Sequence, residues 1–437
     1  MTVYTPPGLG PSLQDLLAAR PFLSMDVLDG LCLEGVSLNK LADQYGTPSY
    51  VYGAGIIRAR FATLQNAFRA ENIPMHIHYA VKANDHLAIL RLLGTQGAGA
   101  DVVSLGEFLR ATKAGISPLN IVYSGVGKTI AELEATLGAG VGQINAESAE
   151  EVEMISAVAT RLNVTARVAL RMNPDVDAGT HAKITTGLAG NKFGIAAADI
   201  PALYANTSKL PGIKTVGIAM HIGSQILSLE PYRHAYAKAA EMIRALREAG
   251  QNVEIMDIGG GLGIGYQDEP NLSAQAFAVL VRQASEGLNV RLMMEPGRYL
   301  VGPAGVLLAS VVLTKQASKR FVVLDAAMND LVRPAMYDSW HGIMPLSPTS
   351  YHAPAHAADV VGPICESSDC FARDRSLPDL PPGARVALLD VGAYGAVMGN
   401  HYNARPRPPI LLVDDGKAEL ITPRQTYEDL WQAEILP

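Results

Sequence analysis

The fold is decided by the sequence His76-Ile77-His78-Tyr79-Ala80-Val81-Lys82-Ala83-Asn84. Polar and apolar residues alternate at its start, an apolar stretch follows, and this stretch ends at a lysine. This pattern predicts a buried strand that is followed at once by a turn. Lys82 would then end the strand and face a cleft. An amine that is partly desolvated in a cleft is a candidate nucleophile for a Schiff base. The ordinary structural alternative is a strand-end lysine that extends its ammonium group into water.

Short apolar strands alternate with helical periodicity over the next two hundred or so residues. The predicted strands are Met75 to Val81, Gly99 to Val103, Asn120 to Tyr123, Gln143 to Asn145, Thr165 to Met172, Thr215 to His221, Val253 to Ile258 and Val290 to Met294. Strands and helices in this alternation predict an α/β fold, an eight-stranded parallel β/α barrel of the TIM type.

The residues at the C-terminal ends of these strands are mostly polar. They are Lys82, Asp101, Ser104, Ser124, Asn145, Glu147, Arg171, Asn173, His221, Ser224, Gly259-Gly260-Gly261, Glu295 and Arg298. In a β/α barrel these ends meet on one face, where catalytic groups lie. Loops are polar in every fold, but this combination of residue types favours a functional site. The longest insertion, residues 173–194, follows the fifth strand and is a candidate functional loop.

Three parts of the chain are predicted from the change in this rhythm. Residues 1–47 form an N-terminal segment that we expect to pack with the β domain, and residues 48–305 form the barrel. Residues 306–437 predict a second, all-β C-terminal domain of sandwich or barrel-like form, because strands follow one another there without long helices. Its predicted strands are Val306 to Leu313, Arg320 to Asp325, Val360 to Cys365, Val386 to Val391 and Ile410 to Val413. Residues 341–359 are predicted to be an exposed loop.

Charge and composition exclude several classes of partner. The net charge is −7 and no basic cluster is present, so neither nucleic acid nor an anionic membrane is an expected partner. The N-terminus has no signal-peptide pattern, and no apolar run approaches the roughly 18 residues of a membrane span. Three cysteines, Cys32, Cys365 and Cys370, fit a reducing compartment, and we expect a cytoplasmic protein. Cys365 and Cys370 lack a complete ligand set, so no metal site is predicted.

The glycine run Gly259-Gly260-Gly261 follows an apolar strand, where glycines let backbone N–H groups face an anion. Such turns are common and need bind nothing, and a dinucleotide site would require a βαβ unit that the barrel rhythm does not favour. A nucleophilic lysine, a phosphate loop and a strand-end carboxylate together indicate pyridoxal 5′-phosphate. Its ring nitrogen needs an acidic partner, for which Glu295 is the candidate. His221 is a candidate to stack on the ring, or a buried structural histidine, and Ser224 a candidate phosphate ligand.

Several motifs, in order and with fitting spacing from about residue 30 to 430, resemble the diaminopimelate decarboxylase family. This family is a branch of the barrel-type (fold-type III) pyridoxal-phosphate decarboxylases, which include ornithine decarboxylase. The motifs are Tyr79 to Asn84, His221 to Gln225, Gly259 to Ile264, Glu295 to Arg298, Cys365 to Asp369 and Gly392 to Gly395. Those typical of the diaminopimelate branch are Thr180 to Gly194, Asp325 to Asp330, Arg333 to Asp338 and Glu366.

The resemblance implies roles for individual residues. Lys82 would carry the cofactor and Cys365 would donate a proton to the product. The predicted cofactor-binding residues are Lys82, Asp101, Arg171, His221, Ser224, Gly260, Gly261, Glu295, Pro296, Gly297, Arg298 and Tyr394. The predicted substrate-binding residues are Arg298, Arg333, Tyr337, Glu366 and Tyr394. The resemblance also implies a homodimer in which Cys365 and Glu366 complete the site of the neighbouring subunit. Cys370 and the first 25 or so residues receive no role.

The charges of the predicted substrate site favour the same branch. Diaminopimelate carries both an ammonium and a carboxylate at the end that does not react, and Arg298 and Arg333 together with Glu366 match both charges. Structural salt bridges among these residues are the alternative. The implied activity is decarboxylation of meso-2,6-diaminopimelate to L-lysine and CO2. The competing hypotheses are a decarboxylase of ornithine, arginine or a carboxylated polyamine, and a non-catalytic relative, which we would expect to lack Lys82 or Cys365.

Overall fold

The computed structural model describes residues 10–179, 186–187, 190–267, 269 and 271–437. The chain divides into two compact units. We call residues 58–264 and 271–300 the barrel unit, and residues 1–57, 265–270 and 301–437 the sheet unit. The predicted domain boundaries at residues 48 and 305 differ from this division. The reason at the first boundary is that the strand Ser49–Gly53 pairs with strands of the sheet unit.

Residues 10–70 begin with a capped helix and a small antiparallel sheet. Its elements are α1 (Leu13–Ala18), β1 (Leu23–Asp26), β2 (Gly30–Leu33), β3 (Val36–Ser37), α2 (Leu38–Tyr45), β4 (Ser49–Gly53) and α3 (Ala54–Ala70). Ser12 caps α1 in a reciprocal capping box with Asp15. Within the sheet unit, the Leu31 N–H donates a hydrogen bond of 2.9 Å to the Leu346 carbonyl.

The barrel unit contains the strands that the sequence predicts. They are β5 (Met75–Ala80), β6 (Gly99–Val102), β7 (Ile121–Tyr123), β8 (Gln143–Ala146), β9 (Ala166–Asn173), β10 (Ile195–Ala196), β11 (Ile213–Ala219), β12 (Ile255–Asp257) and β13 (Arg291–Met294). All pairs are parallel, and β8 pairs with β9 to close a barrel of eight strands, with the short β10 added beside β9. This confirms the predicted barrel.

Helices follow the strands, and two of these helices begin at a capping serine close to the end of the preceding strand. The helices are α4 (Leu87–Thr95), α5 (Leu105–Lys113), α6 (Ile130–Gly138), α7 (Ala149–Leu162), α8 (Ile200–Thr207), α9 (Glu230–Glu248), α10 (Ala274–Ser285) and α11 (Arg298–Val301). Ser104 Oγ accepts the Glu107 N–H in the first turn of α5, and Ser148 Oγ accepts the Glu151 N–H in the first turn of α7. These two caps fix the residue at which each helix begins after its strand. One buried core cluster comprises Val122, Ala169, Val216, Ala219, Ile255 and Met293.

The rest of the sheet unit is built from strands with two short helices. Its elements are β14 (Gly305–Gln316), β15 (Arg320–Leu324), α12 (Arg333–Tyr337), β16 (Ile343–Pro345), α13 (Pro348–Tyr351), β17 (Ala355–Val361), β18 (Cys370–Pro378), β19 (Arg385–Leu388), β20 (Ile410–Asp414) and β21 (Lys417–Thr422). The long strand β14 pairs with β4 and β19 in its first half and with β15 in its second half. The predicted second domain of strands is confirmed.

The prediction of an exposed loop over residues 341–359 is wrong. His341 is only 1% exposed, and the segment contains β16 and most of β17. Pairing of β16 with β19 buries its three residues, although a three-residue strand that ends in proline has almost no sequence signal. The strand predicted at Val360 to Cys365 begins and ends earlier, as β17.

Candidate active site

A cavity of about 350 Å³ lies at the C-terminal ends of the barrel strands. Its lining residues are Lys82, Val103, Ser124, Gly125, Val126, Asn145, Arg171, Thr186, Phe193, Ala219, Met220, His221 and Glu295. The volume is within the range of pockets that bind cofactors and small molecules. Four predicted site residues therefore line one cavity: Lys82, Arg171, His221 and Glu295.

Lys82 stands just beyond the strand rather than at its last position. Strand β5 ends at Ala80, and residues 81–83 form a single 3₁₀ turn. The hydroxyl of Tyr79 donates a hydrogen bond of 2.9 Å to the Asn84 carbonyl, which holds this turn. The turn directs the Lys82 amine into the cavity.

Asp101 is the ionic partner of this amine. Lys82 Nζ lies 3.2 Å from Asp101 Oδ2, and the aspartate side chain is fully buried. Among the described residues, Asp101 Oδ1 has no hydrogen-bond partner. A buried carboxylate with an unused acceptor atom favours a cationic or proton-donating group in the cavity.

Glu295 belongs to a cluster of buried polar groups. Asn145 Nδ2 lies 3.2 Å from Glu295 Oε1 and 3.4 Å from Asp257 Oδ2, and Ser124 Oγ donates to Glu295 Oε1 at 3.4 Å. Burial, and then the charges of Asp101 and Asp257, raises the pKa of Glu295 well above its ordinary value. Burial likewise raises the pKa of Asp257. A carboxyl group in this environment is suited to exchange a proton with a basic ring nitrogen.

His221 is held as a neutral ring. Burial, followed by the positive charges of Lys82 and Arg171, lowers its pKa well below the ordinary value of 6.5. The Gly260 N–H donates to His221 Nδ1 at 3.3 Å, so this nitrogen is an acceptor and carries no proton. A neutral, flat ring at the wall of the cavity is suited to cover an aromatic ring.

The glycine run is required by close backbone contacts. Gly259 and Gly261 have φ values of +69° and +92°, and a Cβ on Gly260 would collide with the backbone oxygen of Glu295. Arg298 Nη2 donates to Ser224 Oγ at 3.2 Å, beside the same strand ends. Packing therefore confines these positions to glycine, and the Gly259 and Gly260 N–H groups donate to Asp257 Oδ1 at 3.0 Å and to His221 Nδ1 at 3.3 Å.

Arg171 is fixed by a buried ion pair. Its Nη1 lies 2.6 Å from Glu147 Oε1, and its guanidinium carbon lies 5.0 Å from the centre of the Phe193 ring. Glu147 Oε2 accepts the Gly194 N–H at 2.7 Å, so the end of the 173–194 insertion is tied to the barrel. Residues 180–185, with the motif Thr180 to Lys183, and residues 188–189 lie outside the described residues.

Five predicted residues belong to the sheet unit. Arg333 and Tyr337 lie in α12, Tyr394 follows β19 with a φ of +57°, and Cys365 and Glu366 lie between β17 and β18. Arg333 is 4% exposed, whereas the Cys365 thiol is free and exposed.

Glu366 is held in place by its neighbours in the sheet unit. The Tyr402 hydroxyl and Ser368 Oγ both donate to its carboxylate. Both hydrogen bonds lower the pKa of Glu366, and the bond from Tyr402 has the larger effect. Glu366 is therefore a charged, oriented carboxylate.

The structure adds residues that sequence reasoning did not assign to the site. Ser124 and Asn145 were recognised only as strand ends, and Asp257 was concealed in an apolar strand although it directly precedes the Ile258–Gly261 turn. Lys128 is buried behind the cavity wall. In the sequence, Lys128 stands between Gly127 and the helix cap Thr129. A lysine at such a position is expected at the surface, so the sequence does not indicate that it is buried.

The described residues contain no group of three or more histidine, cysteine, aspartate or glutamate side chains placed to hold a metal ion. Within the same residues, no helix combines the length and the apolar character that crossing a membrane requires.

Comparison with known proteins identifies the family. The family model "Pyridoxal-dependent decarboxylase, pyridoxal binding domain" matches residues 54–302. A diaminopimelate decarboxylase from Zymomonas mobilis is 47% identical over 412 residues, which cover 92% of this chain and 96% of the relative. The chain belongs to the diaminopimelate decarboxylase family. A relative of the same name from Aquifex aeolicus is 42% identical and covers 94% of this chain and 96% of its own length.

Solved structures of diaminopimelate decarboxylases share the whole fold. The Helicobacter pylori enzyme, complexed with L-lysine, has a TM-score of 0.87 at 40% identity and covers 91% of this chain and 98% of its own. The M. jannaschii enzyme, in co-complex with L-lysine, has a TM-score of 0.90 at 34% identity and covers 96% and 99%. The predicted family and fold are confirmed.

Pyridoxal phosphate is the cofactor of this family, and the residues present fit it. The cavity offers an amine at Lys82, a buried carboxyl at Glu295 for a ring nitrogen, and the neutral ring of His221. The Gly261 N–H of the close-packed glycine run and the Ser224 hydroxyl are the candidate donors for a phosphate, because the Gly259 and Gly260 N–H groups already donate to Asp257 and His221. The roles of the individual residues remain predictions.

Proposed function

We propose that the chain decarboxylates meso-2,6-diaminopimelate to L-lysine and CO2, the last step of lysine biosynthesis, at the cavity of the barrel unit. The observation that carries the proposal is the position of Lys82 and Glu295 in one cavity of a chain that is 47% identical to a diaminopimelate decarboxylase. Catalysis at this cavity requires an amine to hold the cofactor and an acid to serve its ring, and these two residues supply both.

Bound pyridoxal phosphate supplies an electron-poor ring that accepts the electron pair released when CO2 leaves. Lys82 is the amine that binds the cofactor, and Asp101 orients that amine through the 3.2 Å ion pair. Glu295 holds a proton at the ring nitrogen, because a buried carboxyl with a raised pKa shares a proton readily with a base. His221, which lines the cavity, would cover one side of the ring and exclude water there.

Substrate selection is assigned to charged and phenolic groups. Arg298 and Arg333 bind the carboxylate that remains in L-lysine, and Glu366 binds the ammonium beside it. Tyr337 and Tyr394 complete the substrate site, and Tyr394 also contacts the cofactor. A simple diamine precursor such as ornithine has no carboxylate at that end, so two arginines favour diaminopimelate over ornithine.

The active unit is a homodimer in which Cys365 and Glu366 act in the site of the neighbouring subunit. The exposure of the Cys365 thiol and of Glu366 supports this arrangement, because both are accessible to a partner. Cys365 donates the proton that replaces CO2. We place the enzyme in the cytoplasm, where free thiols persist.

The proposal is tested by CO2 release from meso-diaminopimelate in parallel with L-ornithine, L-lysine and L-arginine, with and without added pyridoxal phosphate. We expect turnover of meso-diaminopimelate alone and dependence on the cofactor. Turnover of another substrate would retain the role of Lys82 and overturn the roles of Arg298, Arg333 and Glu366. Bound cofactor without turnover would favour a non-catalytic protein.

A further inference from the structure

The guanidinium of Arg333 is held on two sides by aromatic rings of the sheet unit. Its Nη1 lies 2.8 Å from His341 Nε2, and its central carbon lies 4.9 Å from the centre of the Tyr266 ring. Arg333 is 4% exposed and His341 is 1% exposed. The hydrogen bond lies in the plane of the guanidinium, and the contact with Tyr266 further restricts the position of the group.

The protonation of His341 follows from its two partners. A guanidinium only donates hydrogen bonds, so Nε2 must accept from Arg333. The Leu389 carbonyl only accepts, so Nδ1 must carry the proton and donate to it at 2.7 Å. The neutral ring with its proton on Nδ1 is the one form that satisfies both contacts, and any other form sets donor against donor or acceptor against acceptor.

The imidazole is itself immobilised. Its edge packs against Tyr266 at a centroid distance of 5.4 Å and an interplanar angle of 78°. Arg375 Nη1 donates to the His341 carbonyl at 2.8 Å, and Arg20 Nη2 donates to the Tyr266 carbonyl at 2.9 Å. The main chains of His341 and Tyr266 are therefore each tied to another part of the sheet unit.

We propose that His341 is a positioning residue for substrate specificity, which holds the Arg333 guanidinium in the orientation that recognises the carboxylate retained in L-lysine. The inference rests on the proposed contact of Arg333 with substrate. Bidentate recognition of a carboxylate depends on the plane of the guanidinium, and His341 sets that plane. His341 never touches the reacting atoms.

Two isosteric variants separate positioning from packing. In His341→Gln the side-chain oxygen takes the place of Nε2 and still accepts from Arg333, whereas His341→Asn places its amide near Nδ1, keeps the Leu389 contact and loses the Arg333 contact. His352→Asn, at an exposed histidine, is the matched control. The inhibition constants of L-lysine and of cadaverine, which is lysine without its carboxylate, are measured with the holoenzyme of each variant.

We expect His341→Asn to raise the inhibition constant of L-lysine about tenfold, the factor that corresponds to one hydrogen bond to a charged group. The constant for cadaverine should change less than about twofold, because it has no carboxylate for Arg333 to bind. His341→Gln should stay closer to the wild type, and His352→Asn should equal it. Inhibition constants do not depend on the fraction of folded enzyme, so a loss of stability does not imitate this result.

Equal changes for L-lysine and cadaverine, or equal effects of the asparagine and glutamine variants, would overturn the inference and leave His341 a packing residue. Arg333→Met is measured beside them. If it leaves L-lysine inhibition unchanged, the proposed substrate role of Arg333 fails. If it weakens L-lysine inhibition while His341→Asn does not, only the positioning role of His341 fails.

Discussion

The buried lysine behind the cavity wall gives a prediction with a defined magnitude. Lys128 Nζ contacts the Gly125 carbonyl at 2.7 Å, the Asn145 carbonyl at 2.9 Å and Glu151 Oε1 at 2.6 Å. The lysine and glutamate side chains are 1% and 8% exposed. Glu151 Oε2 also accepts the Glu147 N–H at 2.7 Å. One ammonium thus joins the ends of two strands to the following helix.

Lys128→Met should destabilise the barrel unit by about 3–5 kcal/mol, because it leaves the carboxylate of Glu151 buried without its cation. For a domain of this size the unfolding midpoint should fall by roughly 10 °C. Lys128→Met/Glu151→Gln should recover more than half of this loss, because the amide carries no charge and still accepts from Glu147. The Arg161–Glu134 pair, with side chains 58% and 38% exposed, is the control, and Arg161→Met should cost less than about 1 kcal/mol.

The assay is thermal unfolding of each holoenzyme at saturating pyridoxal phosphate, together with kcat. We expect kcat of Lys128→Met to fall as well, because the Asn145 side chain contacts Glu295. A loss in Lys128→Met no larger than that in Arg161→Met would refute the reasoning. A double variant less stable than Lys128→Met would show that the buried charge of Glu151 is not the cause.

Three further predictions concern pH, the glycine run and the dimer. Burial lowers the pKa of His78 from 6.5 to about 4, so between these two pH values the unfolded state binds more protons than the folded state. The free energy of unfolding should therefore fall by about 3 kcal/mol as the pH drops from 6.5 to 4. His78→Asn should flatten this part of the plot of unfolding free energy against pH, and an unchanged slope would contradict the prediction. Gly260→Ala should weaken pyridoxal phosphate binding at least about tenfold in a fluorescence titration, because the added Cβ would collide with the Glu295 backbone. The control Gly138→Ala, at a position with open space around it, should bind the cofactor normally. Equal affinities of the two variants would refute the requirement for glycine at position 260. Mixing the variants Lys82→Ala and Cys365→Ala should restore about a quarter of wild-type activity. After subunit exchange about half of the dimers contain one subunit of each variant, and one of the two active sites in such a dimer is complete. No recovery after confirmed subunit exchange would refute a shared site.

Sequence reasoning succeeded where geometry is local. The sequence predicts that Lys82, Arg171 and Glu295 lie close together, because polar residues at the ends of parallel strands converge on one face of a barrel, and all three line one cavity. The 3₁₀ turn at Lys82 was missed, since one residue more or less in a strand has no clear signal.

Residues whose role depends on distant partners were not predictable. Strand β4 is fully buried, but its sequence does not reveal that it pairs with β14, more than two hundred residues away. The sequence predicts a loop at His341, and it does not reveal the partners Arg333, Leu389 and Tyr266, which are brought to His341 only by the folded sheet unit. The pairing of β4 and the burial of His341 both depend on contacts between residues that are far apart in the chain, and a single sequence does not reveal such contacts.

The most direct test of the central claim compares wild type with Lys82→Ala in one assay that counts CO2 and L-lysine formed from meso-diaminopimelate in the presence of pyridoxal phosphate. We expect the wild-type enzyme to form the two products in equal amounts, and the variant to form neither and to lack the absorbance of covalently held cofactor. Normal formation of L-lysine by Lys82→Ala would show that Lys82 is not the residue that carries the cofactor.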